Sequence, residues 1–153
     1  MSKRFVLLLV GLAVVALIPT AALAQTGRRA QTKVYVARLN PVQTDVGNYS
    51  ATAGRATLRF RKKRGQITVT ARALAPRRTF RWRISSRRCT GPRVKGWTFK
   101  RLRSNAAGRA KAGGTGRRFV INRRNRRYVV VYQTGTSQPL LCGRLTPRKR
   151  ATT

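Results

Sequence analysis

The sequence predicts an all-β protein: a single antiparallel β-sandwich of Greek-key character, or a barrel, with about eight strands. Three observations predict it. Apolar side chains recur at every second position in one segment after another, the period of a strand with one buried face. Basic and glycine-rich clusters interrupt those segments at short intervals, as turns do. Beyond the first two dozen residues, no stretch repeats its apolar residues at the helical period.

Residues 1–24 read as a secretory signal peptide. Lys3 and Arg4 form its positive start, Phe5 to Ile18 is an apolar run, and Pro19 ends that run. Ala22-Leu23-Ala24 supplies the small residues that a signal peptidase reads, so cleavage is expected before Gln25. An uncleaved anchor is the alternative, because no charge lies between Arg4 and Arg28. The run is shorter than the roughly 20 residues that a spanning helix needs. Residues 25–31 and 146–153 are polar, basic and aperiodic, and are expected to be flexible tails around one domain at 32–145.

Strands are expected at 33–39, 55–61, 66–73, 79–85, 96–102, 117–122, 127–133 and 139–145. In 55–61, Ala56, Leu58 and Phe60 share the inward face. In 66–73, Ile67, Val69, Ala71 and Ala73 do so, and in 79–85 Phe80, Trp82 and Ile84, with Arg81, Arg83 and Ser85 outward. Lys62-Lys63-Arg64-Gly65 is expected as a hairpin loop. Matching the apolar faces across it sets Phe60 opposite Ile67, Leu58 opposite Val69 and Ala56 opposite Ala71. Residues 112–116 (AGGTG) read as a flexible loop and 122–127 as a second basic hairpin turn. The aromatic residues lie at the same two-residue spacing and are expected in the core rather than as stacking platforms for bases.

Charge bounds the partners. The chain holds 36 Lys and Arg against a single acid, Asp45, for a net charge of +35. Removing the two cations of the signal segment leaves +33. Such a chain folds against its own repulsion, which salt screens only beyond about 8–10 Å. Polyanionic surroundings relieve it. A GC-rich genome would explain why Arg outnumbers Lys, but not why acids are missing. Arg also presents a planar fork that suits phosphate and carboxylate.

Cys89 and Cys142 are the only cysteines, and in an exported chain such a pair reads as a disulfide. A metal pair is the competing reading. It lacks partners, because the chain has no His and one carboxylate.

Two segments resemble a known family. LAPRRTFRWRISSRRCTGP (74–92) is similar to the stretch of secreted CHRD-type and copper/zinc superoxide dismutase-like sandwiches that carries a His-Ile-His motif and then a Cys. YVVVYQTGTSQPLLCGRL (128–145) resembles their C-terminal strand, loop and Cys-Gly pair, and 33–42 with 56–60 resembles their opening. The resemblance implies a β-sandwich scaffold with Cys89, Cys142 and Gly143 at matching places. It implies no metal site, since Arg83-Ile84-Ser85 stands where His-Ile-His would be.

The same composition excludes most catalysis. Paired-carboxylate chemistry needs two acids, and Ser-His or Cys-His systems need a His. Gly113-Gly114-Thr115-Gly116 lacks the Gly-Lys-Ser/Thr ending of a phosphate loop. No enzyme activity, metal or cofactor is therefore expected. The expected function is non-catalytic binding of anionic polymers (wall polymers, acidic polysaccharide, extracellular nucleic acid) or anionic lipid headgroups, outside the cell. The contacts would be Arg55, Arg59, Arg72, Arg81 and Arg83 on strand faces, with Lys62, Lys63, Arg64, Arg123, Arg124, Arg126 and Arg127 at hairpin tips. A merely solvated basic face is the plain alternative. A defence protein acting on anionic membranes is the functional alternative.

Overall fold

The computed structural model describes residues 32–42 and 52–148. The expected signal peptide, the 25–31 tail, Asp45 and the last residues, 149–153, lie outside them. The described chain is all-β and antiparallel. Its strands are β1 (Lys33–Pro41), β2 (Ala53–Arg61), β3 (Arg64–Arg72), β4 (Thr79–Phe80), β5 (Trp82–Ser86), β6 (Trp97–Phe99), β7 (Leu102–Arg103), β8 (Ala110–Arg117), β9 (Arg127–Tyr132), β10 (Pro139–Arg144) and β11 (Thr146–Pro147).

The main sheet runs β5-β9-β10-β1-β2-β3-β8-β6, with β11 paired to β1 and β4 paired to β7 in a small second sheet. It curls into a nearly closed barrel. The segment before β6 lies along the opposite edge strand, β5: Val94 N donates to Ile84 O at 2.9 Å and Ser86 N to Pro92 O at 2.9 Å. Trp82 Nε1 donates across the same seam to Lys100 O at 2.7 Å. Alternation fills the interior, because alternate side chains along the middle of β1, β2 and β3 (Ala37, Leu39, Leu58, Phe60, Ile67 and Val69 among them) are buried in one cluster.

Several expectations are corrected. The β2–β3 turn contains two residues, Lys62 and Lys63, not four, and Arg61 pairs with Arg64. The register therefore moves by one pleat: Leu58 faces Ile67, Ala56 faces Val69 and Phe60 faces Gly65. The Phe60 ring occupies the place where a Gly65 side chain would stand, 2.5 Å from an ideal Cβ. Ala73 turns to φ +54° and is exposed just beyond β3. Residues 112–116 are not a loop but the middle of β8, paired to β3. Their glycines admit the rings of β6: a Cβ on Gly114 would lie 2.7 Å from Phe99, and one on Gly116 would lie 2.5 Å from Trp97.

Residues 118–122 form no strand. They begin a connection from β8 to β9, strands that are not neighbours, so 122–127 is not a hairpin turn. The connection lays Phe119 against Phe60 (5.2 Å between ring centroids) and Trp97 (5.5 Å), covering the barrel end beside the Lys62–Lys63 turn. Residues 79–85 are split at Arg81, and 96–102 yield only the short β6 and the start of β7. Thr146–Pro147 is strand β11 rather than tail, held by Tyr35 and Val36.

The disulfide is present between Cys89 and Cys142, with Cα atoms 6.0 Å apart. It fastens the loop after β5 over the outer face of β9 and β10. Val130, Tyr132 and Cys142 form a second buried cluster there, with Cys89, Val42 and Tyr128 packed against it. This cover explains why the run 129–132 is buried on both faces instead of alternating. Ser85, expected outward, lies fully buried, and its hydroxyl has no hydrogen-bond partner.

Candidate cationic binding surfaces

The predicted arginines do not share one face. The barrel divides them among three surfaces, none of which contains an acid among the described residues.

The first is the outer face of β1, β2, β3 and β8. Sheet pairing aligns its exposed residues in rows across the strands. Arg38 lies beside Arg55, Arg55 beside Thr70, and Thr70 beside Lys111. Two pleats further along, Arg59, Gln66 and Thr115 form a row, followed by Arg61, Arg64 and Arg117. Between these cationic rows runs an uncharged one of Val36, Thr57, Thr68 and Gly113. Four residues of strand separate the Arg55 row from the Arg59 row, about 13 Å at the usual rise. Arg38, Arg55, Arg72 and Arg109 rim an open groove at one end of the face, and Arg59, Arg61, Arg64 and Arg117 rim another at the other end. Arg55, Arg59 and Arg72 are thus brought together, with Arg38 and Lys111 as neighbours that sequence reasoning missed. Arg38 was legible from the alternation in KVYVARL. Lys111 is hidden in the sequence because it borders the glycine-rich run 112–116, which shows no alternation.

The second surface is the capped barrel end. Arg118 N donates to Lys63 O at 2.9 Å and its Nη1 to Lys62 O at 3.4 Å, joining the turn to the cap. The Arg118 guanidinium lies over Phe60 at 5.9 Å and that of Arg127 over Phe119 at 5.5 Å. Asn122 Oδ1 accepts from the backbone of Arg124 at 3.0 Å and of Asn125 at 2.7 Å, fixing a turn that leaves Arg123, Arg124 and Arg126 exposed. Arg127 differs from them. It is half-buried, its Nε has no partner, and burial pulls its pKa below the ordinary arginine value.

The third surface is a cleft of about 360 Å³ on the seam between β5 and β6. Arg81, Arg83, Arg93, Lys100 and Arg101 converge on it from separate segments, around the rings of Trp82, Phe99 and Tyr132. Arg83 keeps its outward direction but is half-buried, lying 5.0 Å above the Tyr132 ring. Arg93, Lys100 and Arg101 were missed because they follow no alternation; only closure of the barrel brings them to Arg81.

No group of three or more His, Cys, Asp or Glu side chains able to hold a metal occurs among the described residues. Comparison with family models, with curated proteins and with solved structures finds no match for this chain. What is observed of the resemblance to dismutase-like sandwiches is therefore the all-β, barrel-like sheet and its disulfide.

Proposed function

We propose that this is an exported, non-catalytic binding protein that holds anionic polymers at or outside the cell envelope through charge. One observation carries the reading: cationic rows stand on a rigid sheet face with no acid among the described residues to neutralise them. The disulfide supports an oxidising compartment, and the N-terminal sequence supports export. The alternative, a defence protein that disrupts membranes, is less well supported. Disruption calls for an exposed apolar face, and Val120 is the one large hydrophobic side chain exposed among the described residues.

Retention of the purified protein on heparin, on DNA and on anionic vesicles at rising salt tests the reading. Binding should be tight at low salt on all three and fall steeply, with a log-log slope on DNA of about −0.9 per phosphate neutralised. Vesicles should keep an entrapped dye. Absence of salt-dependent retention on every polymer would end the reading, and rapid dye leakage would favour the defence role.

A further inference from the structure

We propose that the seam cleft is a discrete site for one phosphoryl or sulfuryl ester group. This deepens the reading above and rests on it for the source of that group, a substituent of the bound polymer.

Three of the five cations of the cleft are held in place rather than merely near one another. Arg81 Nη2 donates to Thr136 O at 3.0 Å, Arg83 Nη2 to Gly91 O at 3.3 Å, and Arg93 Nη2 to Trp97 O at 2.9 Å. Arg83 is further stacked on Tyr132, and Arg93 on Phe99 at 5.5 Å. Each guanidinium carries five N–H donors. One anchor to a carbonyl leaves most of them available while fixing the plane of the fork, which is the preorganisation that bidentate oxyanion binding needs.

A second observation points the same way. Five cations (Arg81, Arg83, Arg93, Lys100 and Arg101) line the cleft, and no acid among the described residues neutralises them. Their N–H donors approach from separate segments, and a single acceptor group meets them best with several oxygens. A phosphoryl or sulfuryl ester offers three terminal oxygens in a tetrahedral array, where a carboxylate offers two in a plane. The volume is near the lower bound of small-ligand sites, roughly 300–1,000 Å³. It takes one such group with the sugar or glycerol unit that carries it, the apolar part resting against Trp82 and Phe99, and not a length of polymer.

Calorimetric titration of the full chain with glycerol 3-phosphate, inorganic phosphate and inorganic sulfate tests this, with total ionic strength held constant by sodium chloride. Saturable binding of at least one of these at a single equivalent is expected. Lys100→Gln with Arg101→Gln, both exposed, should weaken it about tenfold. Arg55→Gln with Arg59→Gln and Arg72→Gln, on the distant face, should leave it unchanged. Tighter binding of glycerol 3-phosphate than of either free anion assigns the site to a polymer substituent; equal binding assigns it to the free anion. No saturable binding, or binding that the distant triple weakens as much as the cleft pair, overturns the proposal. Polymer retention measured on the same proteins separates the two readings. Retention without a saturable site removes only the cleft, and a saturable site without retention removes only the polymer reading.

Discussion

Glycine at 114 and 116 shows how far a single side chain reaches in this barrel. In sequence the two look like loop residues, because a residue without a side chain cannot take part in alternation. In the structure each leaves room for a ring of β6, and Gly116 would bring a Cβ to 2.5 Å from Trp97 and 2.6 Å from Gly96 O. Backbone on one side prevents relief, so Gly116→Ala should destabilise the fold by about 2 kcal/mol, as overpacking does. A lowered thermal midpoint with the fold retained would bear this out; an unchanged midpoint would mean that Trp97 can move. Ser85 is the opposite case. Alternation placed it outward, correctly by direction, but the loop held by Cys89 covers that side, and no sequence pattern marks which outer face will be covered.

Elements behave as their local chemistry and their neighbours jointly allow. The basic turn between β2 and β3 was legible in place but not in length. The two-residue turn succeeds because Lys62 adopts φ +53° and because Gly65 clears the Phe60 ring. Moving the register by two residues keeps every side chain on its face, so hydrophobic matching alone could not choose between the two pairings. The loop after β5 depends on its covalent link. The Cys89–Cys142 bridge spans 53 residues of sequence. Closing a loop of that size constrains the unfolded chain by about 4 kcal/mol. Replacing both cysteines by serine should lower the unfolding free energy by up to that amount in urea titration. A change below about 1 kcal/mol would show that the cover holds by packing alone.

For the molecule as a whole, repulsion among the cations opposes the compact state, and anions or salt relieve it. The thermal midpoint of the wild type should therefore rise from low to high sodium chloride. Arg55→Gln with Arg59→Gln and Arg72→Gln should raise stability by about 1 kcal/mol at low salt, with the gain fading as salt screens it. The same variant should bind DNA less tightly, with a shallower salt slope. Calorimetric melting and DNA retention at several salt concentrations check both. A destabilised variant would mean that the arginine stems contribute packing that outweighs their repulsion.

The sequence by itself determined the all-β class, the inward faces of the long strands and the cationic character, because alternation and composition are properties of the chain alone. The exclusion of histidine- and paired-carboxylate chemistry follows from the same source. Tertiary structure decided the rest. Neighbouring rings made β8 a strand, and the open barrel end recruited 118–122 as a cap, since Phe119 and Ile121 find core to pack against there. Curvature sent Arg55, Arg59 and Arg72 to one side and Arg81 and Arg83 to the seam. The seam cleft is the plainest example. Its cations lie on segments up to twenty residues apart with no shared period, and they meet only because the two edge strands of a curled sheet approach each other.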